Sequence, residues 1–288
     1  MLVGCNIGRL KLDKQKQVKP NRPEGHTIHR LAIDHTKWFA GQTLVVTSPQ
    51  GRFEKEAKKL SGKKLIAAEA HGKHLFYRFA ARRAADRLLV HVHLGLYGKF
   101  RVHNNPAPEP RGAVRMRMIG TRKSFDLNGP NCCELLSKTN YKTLMARLGQ
   151  DPLHDDADPE VVKKRFSRSR SAIGSLLLNQ SVIAGVGNVY RAEILFLLGI
   201  HPERLANSLQ PEEFDKLWDL TIKLLRVGVK YNRIITADRA SVDKPLSRLD
   251  SHQRLVCYKK TRCIACGSKI RKWKLGARTM YACERCQK

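Results

Sequence analysis

A chain of 288 residues with 42% hydrophobic content is long enough for roughly two domains with buried cores. Its 55 Lys plus Arg stand against 25 Asp plus Glu, and a net charge of +30 repels itself unless a polyanion or counterions compensate, which makes nucleic acid the leading partner. No apolar run approaches the roughly 20 residues of a spanning helix and no lipid-binding amphipathic anchor stands out, so membrane binding is set aside and a soluble globular protein is expected.

In chain order, residues 1–22 carry Arg9, Lys11, Lys14, Lys16, Lys19 and Arg22 against a lone Asp13, with no periodicity and no secretory apolar region. A disordered leader is expected; a basic arm, an organelle address and a functionless extension all remain open. One helix is predicted from about His26 to Phe39. From Thr43 to about Asp126, short runs rich in Val, Leu, Ile and Phe are broken by Gly, Pro and Asn, as in LVVTSPQGRF and KLIAAEAHGKHLFYRF. Such runs predict strands of an all-β sandwich or barrel. The Pro and Asp cluster at 151–160 reads as a boundary. Beyond it, SAIGSLLLNQSVIAG, NVYRAEILFLLGIHP and PEEFDKLWDLTIKLLRVGVKY have helical periodicity. The expected organisation is an α+β chain with a leader at 1–22, an N-terminal β-sandwich domain at 23–140, a helical domain at 151–256 and a metal-bound hairpin at 257–288.

Among the eight cysteines, Cys263-x2-Cys266 and Cys283-x2-Cys286 form two knuckles separated by sixteen residues. Four thiolates at this spacing suit tetrahedral Zn²⁺, and a closed four-thiolate site has no position for catalysis, so one structural zinc per chain and a reducing compartment are expected. The segment has too few apolar residues for a core of its own, and the metal supplies its folding energy. Between the knuckles, Lys269, Arg271, Lys272, Lys274 and Arg278 accompany Trp273, Met280 and Tyr281, a cationic hairpin fit for DNA or RNA. Cys5, Cys132, Cys133 and Cys257 show no ligand spacing and read as buried or incidental thiols.

Four ordered motifs carry more: Pro23-Glu24-Gly25-His26, HGKHLF around Lys73, QSVIAGVGNVYRAE around Asn188, and GARTMYACERCQ. Together the chain resembles the formamidopyrimidine-DNA glycosylase and endonuclease VIII family, especially its actinobacterial endonuclease VIII members, from Pro23 to the end. The resemblance implies a β-sandwich domain, a helix-two-turn-helix domain with a zinc β-hairpin, and a monomer in the bacterial cytoplasm. It also implies removal of oxidised bases from double-stranded DNA, pyrimidines favoured, coupled to strand cleavage by β,δ-elimination.

By the same resemblance, Pro23 is the nucleophile. An α-amino group titrates at about 8, against about 10 for a lysine, so a useful fraction is free near neutrality. Attack on C1′ gives an iminium that drains electrons as the phosphates leave, and Glu24 is the adjacent acid/base. Taken alone, Pro-Glu is an ordinary helix start. Lys73 is implied at the phosphate beside the lesion, though by itself it reads as a solvated strand end. Asn188, following a glycine turn, is implied in phosphate binding, and Arg278 at the hairpin tip in clamping the lesion's phosphates. Leu96 and Tyr97 stand where the family fills the gap left by a flipped nucleotide; the other reading is a pair of strand core residues.

Arg22 precedes Pro23, so the Pro23 nitrogen lies in a peptide bond. An amide nitrogen forms no iminium. The enzyme reading therefore requires a chain that begins at Pro23; a chain that keeps its leader is a catalytically blocked, zinc-dependent binder of damaged or abasic DNA. His26, Thr27 and His29 follow in a PEGHT pattern, and the two histidines are expected on the helix surface, with tuning of Glu24 or contact with DNA as the other reading.

Overall fold

The computed structural model describes residues 23–83, 86–238, 242, 244–250 and 252–288. The leader at 1–22, with Cys5, lies outside the described residues. Helix α1 (Gly25–Phe39) buries Ile28, Ala32 and Phe39 on one face. Eight strands follow: β1 (Thr43–Thr47), β2 (Lys63–His71), β3 (His74–Phe79), β4 (Leu88–His93), β5 (Lys99–Asn104), β6 (Val114–Ile119), β7 (Lys123–Asn128) and β8 (Cys132–Leu136). They run in the order β5-β7-β6-β1-β2-β3-β4-β8, every pairing antiparallel.

The alternation in β1, with Leu44 and Val46 inward, shows how period-two sequence produces a one-sided strand. The β1–β2 ladder is short, spanning only Thr43↔Lys64 and Leu44↔Lys63. Around it the two four-stranded halves fold together, and Leu44, Met118 and Phe125 from one half share a core with Leu75, Tyr77 and Val92 from the other. The expected sandwich is present. In this half three elements went unread in the sequence: α2 (Glu54–Leu60), β8 beyond the expected end near Asp126, and α3 (Lys138–Arg147), which Ser137 caps by accepting from Asn140 N-H.

The helical half contains α4 (Pro159–Ser167), α5 (Ile173–Leu176), α6 (Asn188–Leu197) and α7 (Pro211–Tyr231). Helix α7 begins with a reciprocal capping box between Gln210 and Glu213. The expected helix over SAIGSLLLNQSVIAG is corrected to four helical residues followed by turns. After Leu176 the local bonds are those of turns; Asn179 Oδ1 accepts from Ser181 N-H, and Gln180 O and Ala184 N-H bond instead to the backbone of Gly149 and Gln150, which breaks the helical run. The hairpin β9 (Arg271–Leu275) and β10 (Arg278–Ala282) adds Met280 to the helical core. Among the described residues no helix is long and apolar enough to cross a membrane.

The 151–160 stretch, read as a boundary, also carries a joint between the halves. Asp151 is buried; its Oδ2 lies 2.7 Å from His29 Nε2 and accepts from Gly72 N-H at 2.6 Å. His29 is thus an interface residue, and His26 is buried against Tyr190, which corrects the expectation of two surface histidines.

Candidate active site

Glu24 sits in the extended residue before α1 and is 3% exposed. Its carboxylate caps α6 from the other half of the chain, accepting from Gly187 N-H at 3.1 Å, Val189 N-H at 2.9 Å and Tyr190 N-H at 3.4 Å. The N-terminus of a helix presents unpaired N-H groups that favour an anion. Burial nevertheless raises the Glu24 pKa above the carboxylate range, while the Lys73 charge and the three N-H donors work in the opposite direction.

Two glycines make this approach feasible. A Cβ on Gly187 would lie 2.3 Å from Glu24 Cδ, inside any contact distance. Gly185 has φ +93°, and its carbonyl accepts from Gly25 N-H at 2.8 Å, which brings the start of α1 against the turn before α6.

Lys73, in the β2–β3 turn, donates from Nζ to Val186 O at 2.7 Å. Burial lowers its pKa, the Glu24 carboxylate opposes that, and the nearby Arg278 charge adds to it. Arg278 opens β10 opposite Leu275 beside the hairpin turn, and its guanidinium has no hydrogen-bond or ion-pair partner among the described residues. Asn188 donates from Nδ2 to Thr279 O at 2.9 Å, and its Oδ1 accepts from Arg191 at 2.6 Å. Its amide therefore holds the hairpin against α6, next to Arg278. Pro23, immediately before Glu24, is half-buried. The structure thus gathers Pro23, Glu24, Lys73, Asn188 and Arg278 around the N-terminus of α6.

Leu96 and Tyr97 stand apart from this group, in the turn between β4 and β5, 41% and 84% exposed. Exposed apolar side chains on a turn are not strand core, which removes the competing reading.

Sequence reasoning missed three buried groups. Arg191 is fully buried, donates to Gly174 O at 3.2 Å as well as to Asn188, and has its pKa pushed down to about 10 by burial. Glu193 accepts from the N-H groups of Val256, Cys257 and Tyr258 at 2.8, 2.8 and 2.5 Å and from the Thr236 hydroxyl, fixing the entry to the hairpin. Asp151 is the third. The available signal was two charged residues, Arg191 and Glu193, within one turn of an otherwise apolar helix, since such groups are buried only when paired.

The four cysteines of the two knuckles converge, Cys263 Sγ to Cys286 Sγ at 3.8 Å and Cys266 Sγ to Cys283 Sγ at 3.5 Å. Thiolates bound at about 2.3 Å around a tetrahedral ion stand roughly 3.8 Å apart. The cluster is therefore consistent with zinc.

Family models describe both halves: the formamidopyrimidine-DNA glycosylase N-terminal domain matches residues 22–128, and the formamidopyrimidine-DNA glycosylase H2TH domain matches 148–240. Endonuclease 8 1 of Mycobacterium tuberculosis H37Rv is 43% identical over 272 residues, covering 92% of this chain and 99% of the relative. A formamidopyrimidine-DNA glycosylase of Carboxydothermus hydrogenoformans is 29% identical, covering 92% of this chain and 93% of its own length. Among solved structures, Lactococcus lactis Fpg in complex with DNA containing N7-benzyl-Fapy-dG aligns with a TM-score of 0.76 at 26% identity, covering 92% of this chain and 99% of that one. The same lactococcal protein with abasic-site DNA aligns at 0.75 and 25%, with the same coverage. A buried carboxylate on a helix N-terminus, a desolvated lysine and a thiolate-closed basic hairpin thus lie within matches that span both halves, and the chain belongs to the formamidopyrimidine-DNA glycosylase and endonuclease VIII family of DNA-repair glycosylases and lyases.

Proposed function

We propose that this chain, beginning at Pro23, is a bifunctional DNA glycosylase and AP lyase that removes oxidised bases, pyrimidines favoured, from double-stranded DNA. The observation that carries it is the placement of Glu24. One residue from Pro23, its carboxyl is buried on the α6 N-terminus, where desolvation raises its pKa against the pull of Lys73 and three N-H groups, as suits an acid/base beside the nucleophile.

The Pro23 nitrogen attacks C1′ of the extruded nucleotide as the bond from C1′ to the base breaks with its electrons leaving on the base, the Pro23 N-H proton passes to the departing base, and Glu24 then protonates the ring oxygen as the nitrogen lone pair opens the sugar. The resulting iminium accepts the electrons of a C2′–H bond as that proton is lost and the 3′ phosphate is expelled, and then those of the C4′–H bond as the 5′ phosphate leaves, which is β,δ-elimination. Lys73 and the free guanidinium of Arg278 hold the phosphates beside the lesion. Asn188 contributes by fixing the hairpin that carries Arg278 and by lining the phosphate site. Leu96 and Tyr97 fill the gap left in the stack. One structural Zn²⁺ held by Cys263, Cys266, Cys283 and Cys286 supplies the folding energy of the hairpin. The protein acts as a monomer in the bacterial cytoplasm, associated with the nucleoid through DNA.

Borohydride trapping tests this reading. A chain starting at Pro23 forms a covalent adduct with thymine-glycol or abasic duplex DNA, and Pro23→Ala reduces it. A chain retaining residues 1–22 gives none. Zinc-loaded protein that starts at Pro23 and binds abasic DNA without trapping is the blocked binder instead.

A further inference from the structure

On the face of the sheet away from the main core, strands β3, β4 and β8 carry two adjacent cross-strand rows. His74, His93 and Cys132 are register partners in one row, and Phe76, His91 and Glu134 in the next. Side chains two residues apart on a strand share a face, so His91, Cys132 and Glu134 converge on one point above the sheet. Cys132 Sγ lies 3.6 Å from His91 Nδ1 and 3.2 Å from Glu134 Oε1, and His91 Nδ1 lies 3.2 Å from the same oxygen.

These separations are those of a face of a coordination tetrahedron. With metal bonds of about 2.3 Å to sulfur and 2.0 Å to nitrogen and oxygen, the edges are roughly 3.5 Å from sulfur to nitrogen or oxygen and 3.3 Å from nitrogen to oxygen, each within about 0.3 Å of the distance found. The ring beyond is oriented for the same purpose. His91 Nε2 lies 2.9 Å from His74 Nδ1, so a His91 that binds through Nδ1 carries its proton on Nε2 and donates it to His74, which fixes both tautomer and ring plane. The His74 and His91 rings are stacked with centroids 5.1 Å apart.

We propose that His91, Cys132 and Glu134 bind a second zinc ion, separate from the four-cysteine site, with the fourth coordination position open to solvent on the exposed side of Glu134. A thiolate, an imidazole and one carboxylate favour a borderline ion of the zinc type over Mg²⁺ or Ca²⁺, which prefer oxygen ligands throughout. Cys132, which the sequence spacing left without a role, is a ligand because the partners come from a different strand. Their separation in the chain hid the set.

The location gives the ion a purpose. β8 is an edge strand of the sheet, and Cys132 pairs with His93, the last residue of β4 before the turn that carries Leu96 and Tyr97. Zinc here joins the sheet edge to the root of that turn and holds its base while the tip meets DNA.

The test is metal stoichiometry on the full chain, exchanged against excess Zn²⁺ and freed of loose metal by gel filtration. Elemental analysis gives two zinc ions per chain for the wild type and one for Cys132→Ser and for His91→Gln, while Glu134→Gln, at an exposed position, weakens the second site without disturbing the fold. His74→Gln lowers the affinity of this site by roughly 10- to 100-fold and leaves the first zinc in place. In Co²⁺-loaded protein, the difference between wild type and Cys132→Ser is the spectrum of a four-coordinate cobalt site with a single thiolate. A wild type that holds a single zinc, or a Cys132→Ser variant that still holds two, overturns the proposal and leaves the three side chains as a hydrogen-bonded cluster.

Discussion

Gly187 N-H donates to Glu24 Oε2 at 3.1 Å, and the space a side chain would need at Gly187 is filled by the Glu24 carboxyl. A glycine after the Gly185 turn is therefore a requirement of the carboxylate it faces. Gly187→Ala is expected to displace Glu24 and reduce borohydride trapping by at least about 100-fold, since a misplacement of about 1 Å costs that much. DNA binding, which rests on the hairpin and the basic surface, falls far less. Trapping and gel-shift assays on the same preparation separate the two.

Glu24→Gln removes the proton carrier and keeps the volume. Trapping is expected to fall by roughly 10²- to 10⁴-fold. Because burial raises the Glu24 pKa, the wild-type acid is available below that raised value and lost as pH climbs through it. The wild type therefore shows an alkaline limb in its pH–rate profile, and Glu24→Gln does not show it at the same position.

Asp151 is expected to be the main joint between the halves. Burial alone would raise its pKa, but the hydrogen bond and charge of His29 and the Gly72 and Leu153 N-H groups outweigh burial and hold it below the usual carboxylate range. A depressed folded pKa adds stability above the unfolded value of about 3.8, lost as pH falls through the folded one. Asp151→Asn weakens the bonds to His29 and Gly72 N-H and is expected to destabilise the protein by about 1–3 kcal/mol, measured by urea unfolding.

Acid sensitivity should begin well above the carboxylate range. His26, His35 and His74 are held neutral by burial, each with its pKa pushed down to about 3. The unfolded chain takes up these protons below about pH 6.5 while the folded chain does not, so stability falls as pH drops from there. Calorimetry from pH 7 to pH 4 is expected to show Tm falling steadily, and a flat profile would contradict the buried neutral state.

Tyr97→Ala and Leu96→Ala remove exposed side chains, so stability is expected to change by no more than about 0.5 kcal/mol. Lesion processing is expected to fall at least about tenfold for the pair, because base–aromatic and wedge contacts contribute about 1–3 kcal/mol each. Thermal melts and single-turnover excision on the same variants check both statements.

Much of the architecture was legible because its signals are local. The period of two in β1, the Pro start and reciprocal cap of α7, and the doubled C-x-x-C of the hairpin each declare an element within a few residues. The 171–185 segment misled for the opposite reason: its apolar content is helical, but Gln180 and Ala184 bond to Gly149 and Gln150, a choice made by distant backbone. Strand β8 escaped notice because Cys132–Leu136 has no strong alternation until β4 lies beside it.

The same division holds for the site. The sequence placed a Pro-Glu pair, a lysine in a turn, a glycine-rich approach to a helix and an arginine at a hairpin tip in the order of a known family, and it was that resemblance, not the residue types alone, that implied the proposed site. Tertiary structure alone decided that Glu24 is buried on three N-H groups of α6, that Asp151 and His29 join the halves, and that Arg191 holds Asn188. The reason is physical: desolvation and hydrogen-bond partners are properties of a place in the fold, and pKa, orientation and strain follow from them rather than from the identity of the residue.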